Sequence, residues 1–152
     1  MSRTSNFAAA SELVLAAVLP ARADLSKAKA EPNLERRARL ALDNAAGQFR
    51  LASDAYKAGD WEKTLTALEE LRESVDLAYA SLKQTGKSPR NSGHFKNLEI
   101  KVRGLLKNLE ELRRRAAFEE REQLAPLAEH LQQVHDEVLQ SILAPPKRKD
   151  NR

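Results

Sequence analysis

Residues 52–71 read ASDAYKAGDWEKTLTALEEL. Ala52, Ala55 and Tyr56 lead up to Gly59, and Trp61, Leu65, Leu68 and Leu71 take up the pattern after Asp60. Spacings of three and four keep apolar side chains on one face of a helix, on both sides of the break. Gly59 suits the end of a helix, because a glycine accepts the left-handed backbone that closes one. Asp60 suits the start of the next, because its carboxylate accepts from a free first-turn N–H. So short a connection makes the two helices antiparallel.

The pattern extends in both directions from this turn. Upstream, Leu34, Ala38, Ala41, Ala45, Phe49, Ala52 and Tyr56 form one stripe, and with Asn33 as N-cap they predict a first helix over 33–58. Downstream, Trp61, Leu65, Leu68, Leu71, Val75, Ala78 and Leu82 predict a second over 61–84, stopped by Gly86. Residues 85–93, TGKSPRNSG, are a loop. Phe95, Leu98, Val102, Leu105, Leu109 and Leu112 predict a third helix over 94–115. Leu124, Leu127, Leu131, Val134, Val138 and Ile142 predict a fourth over 119–143, whose start Pro126 moves toward 123–125. Rods of this length are roughly 35 Å long at 1.5 Å per residue. The segment 116–119 has no Gly or Pro, so a continuous third rod is the alternative to four helices. The expected fold is all-α: an antiparallel four-helix bundle of long amphipathic helices.

Composition agrees. The 152 residues suffice for one domain. Ala and Leu, 24 and 23 residues, far outnumber Val and Ile, 6 and 2, which favours helix over strand. Cysteine is absent, excluding a disulfide scaffold, a thiolate metal site and thiol catalysis. The net charge of +4 comes from the two ends: residues 24–146 hold 20 basic and 20 acidic side chains, which cancel.

We divide the chain into four parts. Residues 1–23 carry Arg3, an apolar run Leu13–Leu19 and the small residues Ala21 and Ala23, which reads as a signal peptide cleaved before Asp24. Glu12 interrupts that pattern, and the alternative is an amphipathic segment belonging to the fold. The run is too short to span a bilayer. Residues 24–32 read as a polar leader, residues 33–143 as the helical domain and residues 144–152 as a basic tail.

Ala52-x-x-Ala55-Tyr56-x-x-Gly59-Asp60-Trp61-x-x-Thr64-x-x-Ala67-Leu68 resembles the helical hairpin of a tetratricopeptide repeat. There is no second copy at the repeat offset, and such a solenoid needs about three units, so a single tight hairpin is the simpler reading. The stretches AEPNLERRARLALDNA, GDW and ESVDLAYASLKQTGKSPR are similar to small uncharacterised exported helical proteins of bacteria. That resemblance implies a helical fold and an extracytoplasmic compartment, and no activity.

Chemistry-bearing motifs are sparse. His130 and His135 are five apart, about 140° around a helix, and so do not share a metal as an i, i+4 pair does; all three histidines, with His94, read as surface residues. There is no Gly-rich phosphate loop, nucleophile elbow or Glu-x-x-His pair. We therefore expect no enzyme, no cofactor and no metal. Polarity along the chain is the informative feature. Residues 83–107 hold seven cations against Glu99, or +6, and residues 60–76 hold six acids against Lys63 and Arg72, or −4. One expectation is an anion or partner contact at the start of the third helix, where free N–H groups and the helix dipole favour negative charge. Its residues are Lys87, Arg90, His94, Lys96, Lys101 and Arg103, with Ser88 and Ser92 as added donors. The competing expectation is that this basic helix pairs with the acidic second helix inside the bundle. A non-enzymatic helical interaction protein with a protein partner follows, exported to the periplasm or cell exterior. The rival is a cytoplasmic nucleic-acid-associated protein using Arg113–Arg115 and the tail, although few aromatics are left to stack bases.

Overall fold

The computed structural model describes residues 21–145, with side chains from Leu25 onward. Most of the expected signal peptide and all of the tail beyond Pro145 lie outside the described residues. The chain is all-helical, with α1 (Ala21–Ala30), α2 (Leu34–Lys57), α3 (Trp61–Gln84), α4 (Gly93–Arg115) and α5 (Phe118–Leu143). A short 3-10 turn, Pro89–Asn91, lies between α3 and α4. No helix among the described residues is long and apolar enough to cross a membrane.

Local chemistry sets the boundaries of the long helices. Asn33 accepts from the Arg36 N–H at 2.8 Å and Asp60 from the Lys63 N–H at 3.0 Å, each satisfying a first-turn donor. Gly59 and Gly86 adopt positive φ of 77° and 66°, a conformation that costs any side-chain-bearing residue. Ala116 and Ala117 are extended and separate α4 from α5, so the single-rod alternative does not hold. The Glu120 carboxylate accepts from the Ala117 N–H at 2.8 Å and starts α5 at Phe118.

Two expectations are corrected. Pro126 does not delay α5; it lies well inside the helix, between the buried Leu124 and Ala128. Proline removes one backbone hydrogen bond and crowds the carbonyl one turn back, and packing of Leu124 and Ala128 on both sides holds the turn. Residues 24–32 are not merely a polar leader. Most of them belong to α1, which buries Leu25 and Ala28 against α2 and α3. Two apolar side chains are a weak sequence signal, and tertiary packing supplies what propensity does not.

Cross-helix contacts fix directions. Asn44 meets Ser74 and Tyr56 meets Trp61, so sequence numbers rise on α2 as they fall on α3. Glu35 meets His94 and Tyr56 meets Arg115, so α2 and α4 run the same way. The core between them is contiguous, and all six stripe residues of α4 are buried in it.

Candidate functional site

The loop before α4 is shaped locally. The Thr85 hydroxyl accepts from the Lys87 N–H at 3.2 Å, Gly86 supplies the positive φ, and Pro89 opens the 3-10 turn. The Ser92 hydroxyl then accepts from the Phe95 N–H at 3.4 Å and caps α4. This geometry lays the loop on the first turn of α2. Lys87 Nζ donates to one oxygen of Glu35 at 2.5 Å, and His94 Nε2 lies 3.4 Å from the other. The hydrogen bond from Lys87 is the main reason the Glu35 carboxyl is held below its usual range; desolvation opposes it, and the His94 charge adds to it. Two of the residues expected to contact an anion at the start of α4, Lys87 and His94, are thus engaged by a carboxylate of the chain itself.

The six predicted contact residues therefore divide. Lys87 and His94 tie α4 to α2. Arg103 leans on Glu99 at 3.4 Å, one turn back. Glu99 is only 12% exposed and also meets His135 Nε2 at 3.0 Å. Arg90, Lys96 and Lys101 are exposed and have no partner among the described residues.

The outward face of α4 carries the sequence Lys96, Ile100, Arg103, Lys107, Arg114, spaced by four, three, four and seven. This face lies opposite the buried stripe. Ile100 stands on it 55% exposed. Sequence reasoning passed over Ile100, although its place outside the stripe Phe95, Leu98, Val102 was the signal that it faces water. Gly104 lies one turn further along, and a Cβ built there meets nothing within 4 Å.

The pairing of this basic helix with the acidic second helix is not found. The acids of α3 are used elsewhere. Glu70 accepts from the Asn44 amide of α2 at 3.2 Å, and Glu73 lies 4.0 Å from Lys29 of α1. Asp76 holds His130 of α5 at 2.6 Å and Arg72 at 3.5 Å, and Arg72 also clasps Glu69. Arg72 accordingly holds the Glu69 carboxyl below its usual range, chiefly by hydrogen bonding. The reason is placement: Glu69, Glu70, Glu73 and Asp76 find their partners on α3 itself or on α1, α2 or α5. The histidines are likewise not simple surface residues, since each meets a carboxylate on another helix.

Arg113 and Arg115 serve the end of their own helix. Arg113 pairs with Glu110 at 2.7 Å, and Arg115 Nε donates to the Glu111 carbonyl at 3.3 Å. Arg121 Nε donates to the Ala116 carbonyl at 3.0 Å and the Tyr56 hydroxyl to that of Arg115 at 3.0 Å. Cations and donors here satisfy the unpaired carbonyls and oppose the negative end of the helix dipole. Compared with protein-family models, with curated proteins and with solved structures, the chain finds no match.

Proposed function

We propose that the four long helices form an antiparallel bundle that acts as a non-enzymatic interaction module, with the outward face of α4 as its contact surface for an acidic protein partner. The bundle topology draws on the directions of the cross-helix contacts described above. The contact surface rests on one observation: Lys96 on that face, with Arg90 and Lys101 beside it, stays unpaired while Lys87 and Arg103 are neutralised by the chain's own acids. Exposed charges of one sign steer an oppositely charged partner and raise its rate of association. Export is the compartment we propose, from the amino-terminal pattern. Leu25 and Ala28, buried among the described side chains of α1, follow Ala23, so cleavage there keeps them.

The test uses the protein from its native cells, cross-linked and fractionated. A chain starting at Asp24 in an extracytoplasmic fraction, linked to an acidic protein, is the expected result. A combined Lys96→Glu, Lys101→Glu, Lys107→Glu variant should fold normally and lose that link. An unchanged link in the variant ends the proposal. Nucleic acid in the cross-link, with affinity falling steeply on a log–log plot against salt, favours the rival reading.

A further inference from the structure

We infer that the outward face of α4 receives an acidic amphipathic helix, which crosses α4 at Gly104, packs its apolar residues against Ile100 and sets its carboxylates beside Lys96, Lys101 and Lys107. The inference rests on the basic-face reading above and adds the shape of the partner. Its starting point is Gly104. A glycine in a helix interior weakens the helix, but it permits unusual backbone angles and the close approach of another chain. Gly104 has no positive φ, and a Cβ there would meet nothing of this chain within 4 Å. Neither its own backbone nor its own packing calls for glycine, and the bare backbone there is open to approach from outside.

Ile100 gives the second half of the argument. It is 55% exposed and sits one turn before Gly104, so the face presents an apolar projection beside a shallow notch. Helices pack by setting side-chain ridges of one into grooves of the other, at axis separations that small residues shorten. The cations around the pair select the sign of the incoming helix. A second copy of this chain is disfavoured: an antiparallel crossing centred on Gly104 places Lys101 of one copy against Lys107 of the other, because the two lie three residues to either side. On α3, Glu69, Glu73, Glu70 and Asp76 are already engaged by Arg72, Lys29, Asn44 and His130. Nucleic acid would use the cations and leave Ile100 and Gly104 without a role.

The experiment titrates the full chain with a synthetic acidic peptide of about 21 residues, six turns, with Leu at helical spacing and Glu on both flanks. A scrambled peptide of the same composition and a DNA duplex are the comparison probes. The patterned peptide should bind about tenfold more tightly than either, as expected where a few buried anchors carry most of the affinity. Gly104→Leu should weaken it by a similar factor while leaving the thermal midpoint unchanged or raised, and Ile100→Ser should also weaken it. Equal binding of the scrambled peptide or of DNA, or binding of Gly104→Leu equal to that of the parent, overturns the inference. If the Lys96→Glu, Lys101→Glu, Lys107→Glu variant still abolishes binding in that case, the basic-face reading stands and only the helix geometry falls. If that variant also binds unchanged, both fall.

Discussion

The two long hairpins are held by different chemistry. The buried positions of α2 and α3 are mixed: beside the large Leu42, Leu68, Leu71, Val75 and Leu82 stand many small and polar residues. Ala38, Ala41, Ala45, Ala52, Ala67 and Ala78 bring the backbones close, and Asn44, Thr64, Ser74 and Ser81 are buried among them. Asn44 donates to Ser74 at 2.9 Å and to Glu70 at 3.2 Å. On α4 and α5 the buried positions are almost all large and apolar: Phe95, Leu98, Val102, Leu105, Leu109 and Leu112 on one helix, Leu124, Leu131, Val134 and Val138 on the other. A polar interface is specific, because its groups must find partners or remain unsatisfied. An apolar one contributes more burial per residue and specifies register less. The outer face of the hairpin that relies on apolar burial carries the unpaired Lys96 and Lys107.

The largest expected effect therefore belongs to the apolar seam. Leu109→Ala, at a fully buried position, should lower stability by about 2–5 kcal/mol through lost burial and the cavity left behind. Urea unfolding measures this as a fall in midpoint with an unchanged slope. A cost below about 1 kcal/mol, far under the ordinary range for such a truncation, would break the comparison by showing that α4 and α5 are not held through this seam.

The polar interface should give a smaller and differently composed loss. Asn44→Ala leaves Glu70 without its amide donor, a cost of about 1–3 kcal/mol for an unsatisfied buried group. Combining it with Ser74→Ala should show a coupling of at least about 0.5 kcal/mol, since the two side chains are in contact. Strict additivity would mean that the hydrogen bond does not define the interface, and the contrast between the hairpins would reduce to side-chain size.

How much of this was readable depends on how local each cause is. Asn33, Asp60, Gly59 and Gly86 act within three residues of themselves, and the helix boundaries they set follow from the sequence. The stripe of α4 is equally local, because periodicity alone separates its buried residues from the rest. Asn44 was not foreseen as buried, since its partners lie 26 and 30 residues away. The histidine–carboxylate contacts are more distant still: His130 and Asp76 are 54 apart. The same limit applies to the candidate site. Its cations were visible as a charge run, whereas the division into paired Lys87 and unpaired Lys96 depends on where Glu35 comes to rest.

That division gives the smallest effect, and a sharp one in pH. Glu35 is the acid that removes Lys87 from the outward face, and its carboxyl is held below the ordinary value of 4.5, first by the hydrogen bond from Lys87. A carboxyl with a lowered folded pKa binds fewer protons folded than unfolded. It therefore adds stability above the ordinary carboxyl range, and that stability is lost as pH falls through the lowered value. Lys87→Met removes the main cause. Its unfolding midpoint should lie slightly below that of the parent at neutral pH and converge with it on acidification below the glutamate range. The pair is solvent-exposed, so the difference should also shrink with added salt. A gap that persists unchanged into acid would mean that Lys87 contributes through the packing of its stem and not through Glu35. The loop would then be positioned by Gly86 and Ser92 alone, and Lys87 would rejoin Arg90 and Lys96 as a cation free for a partner.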